Sequence, residues 1–299
     1  MDLRTYRADA LLLLTATIWG FAFVAQRVGM AYVGPYTFNG VRFALGSLSL
    51  VPLLLVLERR APSAPRPASL ASWPRLLWGG GLAGLFLFAG ASLQQVGLVY
   101  TTAGNAGFIT GLYVVIVPIM GLFLRQQTHA GTWLGVFLAA AGLYLLSITE
   151  ALTIAWGDLL VLVGAFFWAA HVLIIGWLSP RMEALRLSII QFAVCAALSL
   201  MTAGAYETIT WEGLRQAAVP ILYGGLGSVG VAYTLQVVAQ RDAHPAHAAI
   251  FLSMEAVFAA IGGWWLLGEI LTPRALLGCG LMLFGMLVSQ LWGFIRMVR

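Results

Sequence analysis

Ionisable and amide side chains inside long apolar runs are the first residues to explain, because a charged one at the centre of a bilayer costs about 2.5–3.5 kcal/mol. Glu255 lies some ten residues into the run 245–268. A carboxyl group there can exchange a proton, pair with an ammonium group, or pack as a protonated or hydrogen-bonded residue. Turning the face with His244, Ala248, Phe251, Glu255 and Gly262 inward would bury it. Arg42, about two turns from the end of the run 35–57, can snorkel to an interface or pair with a carboxyl group. His171 follows Trp168 by three residues and shares its face, where it can hydrogen-bond a ligand, carry a proton or bond a neighbouring helix. His247 offers the same chemistry nearer the end of a run.

Tyr233, Gln236 and Gln240 stand at i, i+3 and i+7, a polar stripe that lipid would not accept cheaply. Amides both donate and accept, which suits the ammonium and carboxylate of a zwitterion as well as bonds between helices. Gln94, Gln95, Asn105 and Tyr113 extend this set, and Trp19 and Trp168 would give it walls suited to apolar side chains and cations. The candidate binding residues are therefore Trp19, Gln94, Asn105, Tyr113, Trp168, His171, Tyr233 and Gln236. Glu255, Arg42 and His247 are coupling or structural charges. Catalytic chemistry is not expected. The chain lacks HExxH, GxSxG and GxxxxGK[ST] motifs and has no close carboxylate pair within the apolar runs. Cys195 and Cys279 stand alone in apolar stretches, so no metal site, disulfide or cofactor is expected.

The elements that must position these residues follow from composition. A chain of 299 residues, 61% hydrophobic and 9% charged, departs far from soluble proteins and takes lipid as its solvent. Apolar runs at about 8–30, 35–57, 75–97, 102–124, 131–149, 156–178, 186–204, 217–240, 245–268 and 273–294 predict ten transmembrane helices. They are too long, and too little alternating, for a membrane barrel. The one long connection, 58–74, is rich in proline. Arg4 and Arg7 precede an apolar run as in a signal peptide, but no small-residue cleavage site follows, so the run is read as a span. Alternate connections divide the arginines sharply. One side holds Arg4, Arg7, Arg59, Arg60, Arg66, Arg75, Arg125, Arg181, Arg186, Arg241, Arg296 and Arg299; the other holds Arg27, Arg215 and Arg274. Both termini are thus expected in the cytoplasm. Basic residues scattered over loops, with no aromatic groove between them, argue against nucleic-acid binding.

The two halves repeat. Asp9 and Trp19 align with Asp158 and Trp168 at an offset of 149, and Arg42-Phe43-Ala44 aligns with Gln191-Phe192-Ala193. Beyond the long loop, Leu93-Gln94 aligns with Leu235-Gln236 and Ala106 with Ala248 at 142; Gly135 and Gly142 align with Gly278 and Gly285 at 143. Residues 1–150 and 151–299 are therefore read as five-helix repeats. Five is odd, so the second enters the membrane inverted, the plan of carriers that bind near the midplane between their repeats. The spacings of Gly80 with Gly84, Gly107 with Gly111 and Gly131 with Gly135 suit close helix packing.

Several of these residues together resemble the EamA-type drug/metabolite transporter superfamily. They are Trp19, Arg42-Phe43, Tyr100-Thr101-Thr102-Ala103-Gly104-Asn105-Ala106, Ser253-Met254-Glu255-Ala256-Val257-Phe258, Leu267-Gly268-Glu269 and the closing Gly278…Gly285. Among its members the chain is similar to aromatic amino-acid exporters. The resemblance implies an all-α integral membrane protein of the bacterial inner membrane, with ten helices around a central cavity and the fifth and tenth peripheral. It departs from the family where Ala256 and its counterpart Val114 replace an expected proline, and where Gln127 replaces an acid, which bears on helix breaks at those points. The function expected is secondary transport by alternating access, exporting small metabolites such as amino acids, in a monomer whose partners are its substrate and the bilayer. Transport is either facilitated or proton-linked. The alternatives are a drug–proton antiporter, a channel and an intramembrane enzyme.

Overall fold

A computed structural model describes residues 3–60, 73–125, 130–147, 156–270 and 273–297. All regular structure among them is helical. The first half contains α1 (Leu3–Gly29), α2 (Pro35–Arg60), α3 (Trp73–Tyr100), α4 (Ala103–Gly111), α5 (Tyr113–Phe123) and α6 (Ala130–Ser147). The second contains α7 (Trp156–Leu178), α8 (Ala184–Tyr206), the short α9 (Trp211–Gln216), α10 (Ala218–Leu222), a π-helix π1 (Tyr223–Tyr233), α11 (Thr234–Ala239), α12 (Pro245–Leu252), α13 (Glu255–Leu267) and α14 (Pro273–Met297).

Eight helical stretches are long and apolar enough to cross a membrane, with α4–α5, α10–α11 and α12–α13 each counting as one. The remaining two expected spans, α6 and α14, are helical with shorter apolar stretches, Ala130–Gly142 and Leu276–Gly285. Most of the 58–74 connection, and Gln127, lie outside the described residues.

Packing relations come in matched sets. Helix α3 lies against α7 and α8, while π1 lies against α1 and α2; α13 packs on α1 and α5 on α7. Helices α2 and α8 pair along their lengths and are pinned at both ends. Glu207 accepts from the backbone N–H of Tyr36 and Thr37 at 2.8 and 2.7 Å, a carboxylate on the exposed donors of a helix start. At the other end Arg186 pairs with Glu58. Helices α6 and α14 meet through reciprocal glycines: a Cβ on Gly142 would collide with the Gly278 carbonyl, and one on Gly285 would come within 2.7 Å of the Gly135 carbonyl. Gly80 and Gly84 likewise admit Ile190 and Val194 of α8 against α3.

Two spans break without the expected proline. At Leu112 the chain tightens through Leu112 N–H to Ile109 O (3.2 Å) and Val115 N–H to Leu112 O (2.9 Å). At Ser253–Met254 it does so through Met254 N–H to Phe251 O (3.2 Å) and Ala256 N–H to Ser253 O (3.1 Å). A short i→i+3 turn re-aims a helix without losing its hydrogen bonds, so Ala256 and Val114 do not prevent the break. Gly268, left-handed at φ 69°, ends α13 and lets Glu269 N–H reach the Gly263 carbonyl at 3.0 Å.

Aspartates that the repeat aligns tie the halves together. Asp9 on α1 meets His247 Nε2 on α12 at 2.9 Å, and Asp158 on α7 accepts from Thr101 Oγ1, just before α4, at 2.7 Å.

Candidate functional site

A cavity lies where α1, α2, α3, α4, α5, α7, π1, α11 and α13 converge. The breaks at Leu112 and Met254 place Tyr113 and Glu255 as the first residues of α5 and α13, and both side chains line it. Trp19, Gln94, Trp168, His171, Tyr233, Gln236 and Arg42 line it as well. Most of the expected set is thus brought together from helices distant in sequence.

Tyr233 is the centre of the aromatic wall. Its ring lies 4.4 Å from Trp19 and is stacked on Trp168 at 6.1 Å, with Phe43, Phe192 and His171 at 6.0, 5.8 and 6.3 Å. These rings pack against one another along the cavity wall and leave little free volume between them.

The polar groups divide into those satisfied by the protein and those left open. Gln94 is satisfied: its oxygen accepts from Trp168 Nε1 at 2.9 Å and Thr110 Oγ1 at 3.3 Å, and its amide nitrogen donates to Gln26 Oε1 at 3.2 Å. Gln26 in turn donates to the Ala22 carbonyl at 3.1 Å, so one network joins α1, α3, α4 and α7. Trp19 Nε1 donates to the Ser228 carbonyl at 3.3 Å, and Thr15 donates to the Ala232 carbonyl at 3.2 Å, stitching α1 to π1. The four glycines of π1 let α2 come close; a Cβ on Gly225 would sit 3.0 Å from the Arg42 carbonyl. His171 bonds Gln191 at 2.9 Å.

Gln236 is 1% exposed, yet neither its oxygen nor its nitrogen has a partner. Glu255 faces Tyr113, but Glu255 Oε1 and the Tyr113 hydroxyl both lack a well-formed hydrogen bond. Arg42 is 2% exposed and has no carboxylate within ion-pair distance among the described residues. Its Nε donates to Asn39 Oδ1 at 3.0 Å, and its guanidinium carbon lies 4.8 Å from the Phe43 ring and 5.6 Å from that of Phe38. The snorkelling or carboxylate-paired arginine expected from sequence is instead buried between aromatic faces. Since buried polar groups are nearly always bonded, this cluster of open ones marks a place where water or a ligand completes the set.

Some candidates lie elsewhere. Asn105 sits in the first turn of α4, where its N–H is capped by Thr102 at 3.1 Å, outside the cavity lining. His247 is held by Asp9 away from the lining, and His244 is an exposed helix cap that accepts from Ala246 N–H at 3.3 Å, not part of a buried face. Gln240 donates to the Val172 carbonyl at 3.0 Å and does not line the cavity. Sequence reasoning missed Gln26, Thr110 and Ser228. Gln26 and Thr110 were findable as polar residues within apolar runs, whereas Ser228 takes part through its carbonyl, which no side-chain pattern announces. No group of residues suited to a metal ion occurs among the described residues.

The sequence profile of the EamA-like transporter family matches this chain twice, over residues 6–148 and 155–290. An uncharacterized transporter of Archaeoglobus fulgidus is 32% identical, over 95% of this chain and 86% of its own length. The uncharacterized inner membrane transporter YedA of Escherichia coli K12 is 25% identical, over 92% and 87%, and the uncharacterized transporter YoaV of Bacillus subtilis is 24% identical, over 91% and 92%. A solved crystal structure superposes with a TM-score of 0.76 over 95% of this chain and 96% of its own, at 16% identity, a likeness of fold.

Proposed function

The chain belongs to the EamA-like transporter family, two copies of whose domain it carries, and from that premise we propose that it is a secondary carrier exporting small metabolites, amino acids with aromatic side chains among them. The observation that carries this reading is a cavity between the halves, walled by Trp19, Trp168 and Tyr233 and holding polar groups that the protein leaves open. Ten spanning helices arranged as an inverted repeat, α6 and α14 included, are the architecture we assign. The exchanged packing roles of the two halves and the reciprocal Gly142–Gly278 and Gly285–Gly135 contacts support it, since reciprocity is the mark of a two-fold relation. Such a plan supplies two related conformations and hence alternating access. The arginine distribution supports cytoplasmic termini, and the similarity to YedA supports an inner-membrane location.

The test is counterflow of labelled phenylalanine and threonine in proteoliposomes holding the purified protein, with and without an imposed pH gradient. Saturable counterflow is expected. Conductance that does not saturate would replace the carrier with a channel. Exchange of cationic drugs but not amino acids, driven by the pH gradient, would replace the substrate class with that of a drug–proton antiporter.

A further inference from the structure

We propose that Arg42 and Glu255 are the two ends of a zwitterion site: Arg42 receives a substrate carboxylate and Glu255 its ammonium, while the rings of Trp19, Trp168 and Tyr233 take an apolar side chain. The proposal rests on the carrier reading above and assigns its specificity to particular residues.

The argument begins with Arg42. A guanidinium carries five N–H donors in a planar fork suited to the two oxygens of a carboxylate. Only Nε is engaged, by Asn39, and no terminal nitrogen of Arg42 bonds any described residue. The flanking rings of Phe38 and Phe43 stabilise the cation through its faces and leave its donor edge free. Gly224 gives the side chain room, for a Cβ there would stand 3.2 Å from Arg42 Cδ. An arginine kept buried, fixed in position and without an anion is built to meet one.

Glu255 presents the complementary need. It lines the same cavity, and one of its oxygens has no partner. Gln236 lines the same cavity with a free acceptor and a free donor, which suit an ammonium and a carboxylate respectively. A cationic amine would satisfy Glu255 and leave Arg42 unmet; a carboxylate alone would do the reverse. Burying a charge without its partner is costly, so only a ligand carrying both charges satisfies the cavity at once. The pairing also keeps the occupied cavity electrically neutral overall.

Competition within the counterflow assay tests this, using unlabelled L-phenylalanine, phenethylamine (no carboxylate) and 3-phenylpropionate (no ammonium) against labelled phenylalanine on the full-length protein. Each truncated compound is expected to compete roughly 100-fold less well than phenylalanine. Arg42→Gln should shrink the gap for phenethylamine to under about 5-fold while leaving that for 3-phenylpropionate, and Glu255→Gln should do the opposite. Ratios within one variant do not depend on how much protein folds, and Arg42→Lys, which keeps charge but loses the fork, should fall between. Truncated compounds that compete as well as phenylalanine overturn the charge assignment and leave the carrier reading standing. If the wild type exchanges none of these compounds, the carrier reading fails for this class, and titration calorimetry of the detergent-solubilised protein decides the site. Binding with the same discrimination supports it, and no binding overturns it.

Discussion

Gln94 and Gln236 occupy equivalent places in the two halves, 142 residues apart, and have opposite fates. Gln94 uses both ends of its amide to hold Trp168, Thr110 and Gln26, whereas Gln236 uses neither. The other aligned pairs have diverged in residue type. Tyr113 stands where the second half has Glu255, Ala22 where it has His171, and Arg42 where it has Gln191. Arg42 is left without an anion, while Gln191 is bonded to His171. Repetition thus brings matching positions to one wall, and divergence decides how far each side chain there is held by its neighbours. Arg42 comes from the first half and Glu255 from the second, so a chain with two copies of one domain carries a cavity whose charged groups differ between the copies.

The largest expected effect comes from exchanging these fates. Gln94→Ala strands the Trp168 indole N–H, the Thr110 hydroxyl and one end of Gln26 in a buried setting, and should cost about 3 kcal/mol. Thermal unfolding in detergent would show it as a clear loss of stability. Gln236→Ala breaks no protein hydrogen bond, so it should stay within about 1 kcal/mol of the wild type while counterflow falls roughly 10-fold. Equal losses of stability in the two variants would erase the distinction.

Reciprocity at the α6–α14 seam comes next. Gly142→Ala and Gly285→Ala each place a methyl group against a carbonyl of the facing helix and should each cost about 2 kcal/mol by overpacking. On the inverted-repeat reading the two are one contact seen from either half, and their costs should match. A large difference between them would mean that the seam is not two-fold, and would weaken the inverted-repeat reading from which the comparison of halves begins.

The repeat itself was legible, since Trp19 with Trp168 and Gln94 with Gln236 keep register across spans whose length and apolarity announce helices. So was the gathering of most cavity residues, because polar groups inside lipid must face protein. What could not be read was the partner of each. An amide in an apolar run looks the same whether it braces a helix, as Gln94 does, or stands open, as Gln236 does. Asn105 falls in the first turn of α4, where the sequence put it, yet is not among the residues lining the cavity. The breaks at Leu112 and Met254 were hidden because they rest on local i→i+3 turns rather than on proline. The π-helix has no sequence rule comparable to the α period. Its Ser228 and Ala232 carbonyls accept from side chains of α1, and only the folded neighbours reveal that.

The smallest effects should come from the paired tryptophans, and they separate bracing from walling on the same side chain. Trp168 and Trp19 both line the cavity and both donate an indole N–H, but to different acceptors. Trp168 reaches the Gln94 side chain at 2.9 Å, within the amide network that also holds Thr110 and Gln26. Trp19 makes a longer bond, 3.3 Å, to a backbone carbonyl of the glycine-rich π1. Replacement by phenylalanine keeps an aromatic face and removes the donor. Trp168→Phe should therefore cost about 1 kcal/mol and Trp19→Phe only about 0.5 kcal/mol, measured by the same thermal unfolding. If Trp168 acts chiefly by bracing, Trp168→Phe combined with Gln94→Ala should lose much less than the sum of the two, because the shared bond can be removed only once. Strict additivity would show that the indole and the amide act independently, and that Gln94 is less committed to the frame than its hydrogen bonds indicate.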